Sequence, residues 1–499
     1  MYVNDIYNLR VCTMVKRNAV LFVLATLTVL AAACTRPVGP QDSQIPAPSV
    51  WNRLVSSSAT QKDVPFASGP EVEIDQQWWR HFGDPTLDEL IKQALDNNKS
   101  LQIAKARVEE ARAGRRAARS QLLPVVNAGM GAQRTNLGYF TNNSAVTFFE
   151  DEVVGTWEFD LFGRNQARTA AAAAIMESEE AARQAVRVGL LAEVARNYFA
   201  MRDLERQIDL TRQNLDLQKK TLALVQGQKQ GTKASEFDVQ RASAQVSATE
   251  SLIPALKAGR DSARNRLNVL LGLAPGSLEE LLNAPWDLKP LDQLILVAAP
   301  AKVLAERPDV RSAERIFAAS ISAKYVAQTA WLPQISLMSF FGAQSFGTSA
   351  LQWANPWARG FNVILPALNF ERIMSQIDSA NAQQKQAFLN YQQTVLLALE
   401  NMENVLSSYS NELNRNASLA DNVKQNSTAA ELVKHKYSSG YASLLDVLVA
   451  EMNQLVSQSS HTASDFNLRN DLVSIYSAAG GGWKGMDSKD EPRQLSEAK

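Results

Sequence analysis

The side chains able to ligate, attack or transfer are few and scattered. Three histidines (His81, His435, His461) and two cysteines (Cys12, Cys34) occur in 499 residues, and no two stand at metal-ligand spacing. A thiol- or histidine-built metal centre is not expected. There is no glycine-rich phosphate loop, no nucleophile set beside a general base, and no acid and base paired in one stretch. The sequence reads as a non-enzyme with no cofactor. Its 10 methionines are scattered, which argues against a sulfur-lined path for copper or silver. What remains is a set of polar positions beside glycines. Asp446 follows Gly440 by six residues and Asp238 follows Gly231 by seven, so the second carboxylate is expected to face elsewhere. One reading of Asp446 is a solvated carboxylate in the first turn of a returning helix, favoured by the helix dipole. The other is electrostatic selection: one carboxylate per chain, gathered about an axis, would make a negative ring that favours cations and binds a divalent ion.

The elements that position these residues come in two copies. Leu101 answers Val310, Leu123-Pro124 answers Leu332-Pro333, and Gly231 answers Gly440, each by 209 residues (333 − 124 = 209). In the first copy a helix headed by Asp84 or Thr86 as cap is followed by an Ala- and Arg-rich helix that stops before Pro124. The period then changes to two. Val126, Ala128, Met130 and Ala132 share one face of a strand, and after a polar loop (135–144) Trp157, Phe159 and Leu161 share one face of the return. In the second copy the strand is expected over 334–343, followed by a loop containing Trp353 and Trp357 and a return over 361–370 interrupted at Pro366. The three tryptophans read equally as an interfacial girdle or as packing, and Asp160 and Arg164 as structural residues.

Beyond each hairpin the pattern is helical over 166–228 and 374–436, and about 60 residues would make a helix of about 90 Å. Leu190, Val194, Asn197, Met201, Leu204, Ile208, Thr211, Leu215, Gln218, Leu222 and Val225 alternate in steps of four and three. So do Val395, Leu399, Met402, Leu406, Tyr409 and Leu413. Such seams join helices side by side. The fold class is therefore mainly α with a small β part, built on long antiparallel coiled-coil hairpins. The first repeat is placed at 76–273, a Pro-rich connector at 274–302, the second repeat at 303–479 and a polar tail at 480–499. Short apolar-polar alternation also occurs in soluble sandwiches; if these strands lie in lipid, four cannot close on themselves and no open edge is tolerated, so several chains must share one transmembrane β-barrel. Lys+Arg and Asp+Glu balance at 51 each, leaving no net field for nucleic acid.

Residues 1–33 read as a targeting segment: Lys16-Arg17, the apolar run 19–33, then Cys34. Met14 is a possible true start. The segment resembles a bacterial lipoprotein signal, which implies that Cys34 becomes the lipidated first residue, followed by a Pro-rich tether to residue 75. Thr35, where an aspartate would favour inner-membrane retention, points to the outer membrane. An ordinary cleaved signal is the alternative.

The whole mature chain resembles the TolC-like outer-membrane factors of the lipoprotein branch. The carrying residues are Trp78-Trp79 with Phe82 and Asp84-Pro85, the run from Trp157 to Arg164, Glu306-Arg307-Pro308-Asp309-Val310-Arg311, Leu445-Asp446-Val447-Leu448, and Gly480-Gly481-Gly482-Trp483. The resemblance implies a homotrimer with a twelve-stranded barrel in the outer membrane and a helical α-barrel in the periplasm, acting as passive exit duct for drugs or other small toxic molecules. It further implies that the tip turns Gln230-Gly231-Thr232 and Ser439-Gly440-Tyr441 meet a periplasmic adaptor and, through it, an inner-membrane pump. Asp446 and Tyr437 fall at the family's periplasmic gate. Ala442 and Val449 stand where an arginine and a second aspartate can occur, so a gate of several ionic links is not expected. Ducts for type I protein secretion or metal-ion efflux share the fold, and a coiled-coil scaffold lipoprotein without a pore is the alternative from another class.

Overall fold

The structure, a computed structural model, describes residues 48–52, 66–69, 72–136, 145–231, 234–283, 286, 295–346, 353–366 and 368–484. Cys12, Cys34, the leader, most of the tether, the loop 137–144 and Thr232 lie outside them. The described residues fall into two compact units that cut across the sequence repeats. One takes Glu109–Ser178 and Ala313–Tyr391; the other takes Ile45–Val108, Glu179–Ser312 and Gln392–Lys499. Each repeat supplies part of both.

Helix α1 (Pro85–Asn97) starts where Asp84 accepts the backbone N–H of Thr86 at 2.9 Å and of Leu87 at 3.4 Å, with Pro85 in the first turn. Of the two candidate caps, Asp84 fills the role. Helix α2 (Lys99–Ser120) leads into β2 (Val125–Thr135), and β3 (Val146–Phe159) returns. Two long helices follow, α3 (Arg164–Gln230) and α4 (Glu236–Leu270). The second copy repeats this after a short helix α5 (Pro300–Glu306): α6 (Pro308–Gln328), β5 (Gln334–Phe346), β6 (Trp353–Ala354), β7 (Trp357–Ile364), α7 (Phe370–Ser438) and α8 (Leu444–Ala479). Helix α6 and strand β5 begin 209 residues after α2 and β2 (308 − 99; 334 − 125).

In the first unit β2, β3, β5 and β7 form an antiparallel sheet in that order. The register sets Val126 opposite Gly155, Val153 opposite Phe341, Trp157 opposite Leu337 and Phe341 opposite Trp357. All of these therefore share one face with Ala128, Met130, Phe159 and Phe361. The opposite face carries Gly129, Gly131, Glu150, Glu152, Glu158, Gln334, Ser336 and Asn362. Met130 is 88% exposed, Phe361 74% and Trp357 70%, so the apolar face has no cover from the described residues.

Three expectations are corrected at the strand ends. Leu161 lies in the turn after β3, not on the strand. Trp353 and Trp357 belong to β6 and β7 rather than to a loop. The last return ends at Ile364, two residues before Pro366, and Phe370 already opens α7. Pro366 has no N–H for a ladder, which fits the strand end. Trp157 donates Nε1–H to the Leu122 carbonyl at 3.0 Å and meets Phe159 edge-on.

The second unit holds the main core. Trp78, Trp79, Phe82, Leu87, Leu90 and Ile91 pack with Leu191, Val194, Tyr198, Met402, Leu406 and Val473. A fully buried side chain of this size contributes about 1.5–3 kcal/mol. Val194, Met201, Ile208, Thr211, Leu215, Gln218 and Val225 of the first heptad seam are buried, as are Met402, Leu406 and Tyr409 of the second. Two segments read as solvated are packed. Trp51, in the tether, is fully buried and donates Nε1–H to the Ala298 carbonyl at 2.9 Å. Further along the tether, β1 (Phe66–Gly69) pairs in parallel with β4 (Ile295–Ala298) of the connector. The start of the polar tail is also fixed. Gln76 Oε1 accepts the consecutive N–H groups of Gly482, Trp483 and Lys484, and Trp483 donates Nε1–H to the Glu306 carbonyl. Gly482 has φ 104°, and a Cβ there would come within 2.5 Å of Leu191 Cδ1, so the turn admits only glycine. Arg307 binds this end from the other side, with its guanidinium on Asp309 and on the Ala478 carbonyl at 2.7 Å.

Candidate functional site

The tip turns join α3 to α4 and α7 to α8. At the second, α7 closes with Gly440 at φ 81°, Gly440 N–H on the Tyr437 carbonyl at 3.0 Å and Tyr441 N–H on the Lys436 carbonyl at 2.8 Å. This is the left-handed helix stop for which glycine is suited. Gly231 differs: its φ is not positive, and its N–H reaches the Gly227 carbonyl at 3.4 Å. Counted between helix ends and caps, the two tips are offset by 208 residues, not 209 (438 − 230; 443 − 235). Gly231 thus corresponds to Ser439 rather than to Gly440.

The same offset corrects the expectation for Asp238. Ser235 and Ser443 are the N-caps of α4 and α8, and each forms a capping box with the aspartate three residues on. In both, the serine N–H donates to the carboxylate at 2.9 Å and the aspartate N–H donates to the serine Oγ at 3.2 Å. The Ser443 hydroxyl holds the Asp446 carboxyl below the usual aspartate range, helped by the Ser443 N–H. The Ser235 N–H does the same for Asp238. The two carboxylates thus occupy equivalent places at the starts of α4 and α8, Asp446 exposed and Asp238 half-buried, and both are charged at neutral pH.

Tyr437 ties the hairpins together. Its hydroxyl donates to Gln228 Oε1 at 2.7 Å, and its ring packs on the small cluster of Val225, Leu444 and Leu448. Partial burial, with the Asp238 charge nearby, raises its pKa. Gln230, Gly231, Ser439, Gly440 and Tyr441 are exposed. Beside them stands Phe237, 69% exposed, an apolar tip residue that sequence reasoning passed over.

A second group missed from sequence lies one turn inside. Glu451 is 2% exposed, accepts the Thr221 hydroxyl at 2.8 Å and faces the Lys434 ammonium at 3.0 Å. Its other oxygen has no partner among the described residues, nor has the buried amide of Gln218. The signal was available: Leu444, Leu448, Glu451 and Leu455 keep the four-three step, which places a carboxylate in the seam. At the other end of α3, Asp160 accepts the N–H of Asn165 and Gln166, while Arg164 donates to Thr329, a structural role for both as expected.

Two long hairpins, a bare-faced sheet and a duplicated plan recur in proteins of known kind. Residues 90–273 and again 299–481 match the model of the outer membrane efflux protein family. The chain belongs to that family. The efflux protein is 28% identical to the pyoverdine export outer membrane protein OpmQ of Pseudomonas aeruginosa, over 94% of this chain and 98% of the relative. It is 27% identical to the toluene efflux pump outer membrane protein TtgC of Pseudomonas putida, over 92% and 95%. The solved outer-membrane channel OprN superimposes with TM-score 0.82 and 30% identity, covering 90% of this chain and all of that one. This efflux protein is accordingly an outer-membrane exit channel that extends into the periplasm.

Proposed function

We propose that three copies of this chain form one duct, the outer-membrane part of a tripartite efflux pump. Twelve strands close a barrel whose apolar face meets lipid, with Cys34 acylated as a second anchor. The observation that carries this reading is the four-stranded sheet with one uncovered apolar face and outer edges on β2 and β7. Such edges are not stable in lipid unless other chains pair with them. The tip turns, Gln230, Gly231 and Thr232 in the first copy and Ser439, Gly440 and Tyr441 in the second, receive a periplasmic adaptor, and through it an inner-membrane pump supplies the energy. Cargo is small and organic, in keeping with the pyoverdine and toluene named for relatives.

At rest the duct narrows at its tips, where Asp446 from three chains forms a negative ring and Tyr437 holds the neighbouring hairpin through Gln228. Single-channel recording in planar bilayers tests this. The wild type gives a cation-selective pore, and Asp446→Asn lowers the permeability ratio toward unity without loss of conductance. Selectivity unchanged in Asp446→Asn removes this residue from the narrowing, and no conductance at all removes the duct.

A further inference from the structure

The strand-bearing unit contains a groove of about 940 Å³ that neither the tips nor the lipid face uses. Its floor is α6 and the 3-10 turn that follows it (Thr329–Trp331), where Ala323, Val326, Ala327 and Ala330 leave room, and its walls are the first turns of α3 and α7. Helix α6 lies between those two. It meets α3 through Arg315 with Glu177, its following turn meets α3 through Arg164 on Thr329, and it meets α7 through Phe317 against Phe388. A groove lined by all three opens on one side of the layer. That side is set by Gln334 and Ile364, cross-strand partners on the polar face of the sheet, which also line it. The groove thus continues the polar face, opposite the apolar one.

Three arginines line it, Arg164, Arg168 and Arg372, and no carboxylate does. Arg164 is occupied by Thr329 and influenced by Glu158 and Asp160. Arg168 donates to Asn165 Oδ1 and Gln121 Oε1, both neutral, and pairs with no carboxylate among the described residues. Arg372 is exposed in the first turn of α7, as Arg164 is placed in the first turn of α3, at the 208-residue offset of the tips (372 − 164). Gln376, one turn further along α7, adds an amide donor to the same wall.

We propose that this groove is an anion-holding station on the exit path, in which Arg168 and Arg372 take a carboxylate, phosphate or sulfonate group of cargo. The inference rests on the duct reading and assigns it a cargo class. On the polar face Glu150, Glu152 and Glu158 repel an anion, so passage needs a place where its charge is compensated, and an open, water-filled groove binds weakly enough to release it.

The test is block of the single-channel current of the full-length protein by citrate, a small trianion. Wild type loses conductance at millimolar citrate. Arg168→Gln with Arg372→Gln needs at least about threefold more citrate, while Arg168→Lys with Arg372→Lys retains the block. Equal block in wild type and the glutamine variant overturns the station and leaves the duct standing. So does a glutamine variant that melts lower as an assembled particle while its block is unchanged, because the arginines then pair with a neighbouring copy. A wild type that conducts without block overturns the station alone, and one that forms no pore overturns both.

Discussion

Asp203 sits on α3 between Phe199 and Arg206, with Trp286, Asp465 and Arg469 around it, and Asp465 in turn faces His461 at 3.8 Å. Gln207 donates to one carboxylate oxygen at 2.7 Å, and the other has no partner among the described residues. Burial, with the Asp465 charge adding to it and the Gln207 hydrogen bond opposing, pushes this carboxyl up to about 6. The folded form thus binds its proton more tightly than the unfolded chain, whose aspartates titrate near 4. Between those values stability falls as pH rises, and above about 6 the whole penalty is present. Asp203→Asn should therefore stabilise the protein at pH 7.5 by on the order of 1 kcal/mol after allowance for solvent screening, raising its melting temperature and flattening its dependence between pH 4 and 6. Thermal unfolding followed by circular dichroism at a fixed scan rate across that range checks it. An equal shift of Asp203→Asn and wild type at every pH would show that the charge is not the cause. Asp446 and Asp238 behave oppositely: their lowered values keep them charged through neutral pH, and their capping boxes weaken only in acid below the usual aspartate range.

At the scale of elements, the long helices are held by a seam that is apolar near the core and polar toward the tips. Thr211, Asn214, Gln218, Thr221 and Glu451 are all buried there. A buried carboxylate oxygen without a donor costs about 1–3 kcal/mol, so the closed seam is held below its possible stability. Glu451→Leu removes that oxygen without stranding its partners, because Lys434 is 31% exposed to water and Thr221 also reaches the Leu217 carbonyl. The expected result is a gain of about 1 kcal/mol or more in stability, read as a higher melting temperature, and shorter open times in single-channel records. A lower melting temperature would mean that the Glu451–Lys434 pair is a net brace. The seam was legible from its step of four and three because each burial position recurs within one turn or two. Trp51 and Gln76 were not, since their partners at Ala298 and Gly482 to Lys484 lie hundreds of residues away and local composition says only "extended". The Gly231 position failed for a different reason. A shift of 209 holds for α2 and β2 against their copies, but one residue is lost before the tips, and only the capping boxes reveal the new register.

For the whole molecule the question is what keeps it in the membrane. The sheet presents Val126, Met130, Phe341, Trp357 and Phe361 on one face, each more than half exposed in a single chain. About 25 cal/mol for each Å² of such surface makes contact with water costly and contact with lipid tails favourable. Acyl chains on Cys34 would add about 0.8 kcal/mol per buried methylene, enough to anchor a protein that had no barrel. The two anchors separate experimentally. Cys34→Ser should remain in outer-membrane fractions, resist release by high salt or carbonate, and come out only with detergent. Its extracted particle should have the native mass of three chains, because four strands per chain leave edges that only neighbouring copies can satisfy in lipid. Release of Cys34→Ser without detergent, as a monomer, would make the lipid its only hold and turn the helical hairpins into a periplasmic scaffold with no pore. A detergent-dependent trimer would locate the anchor in the shared sheet, with acylation serving delivery rather than retention.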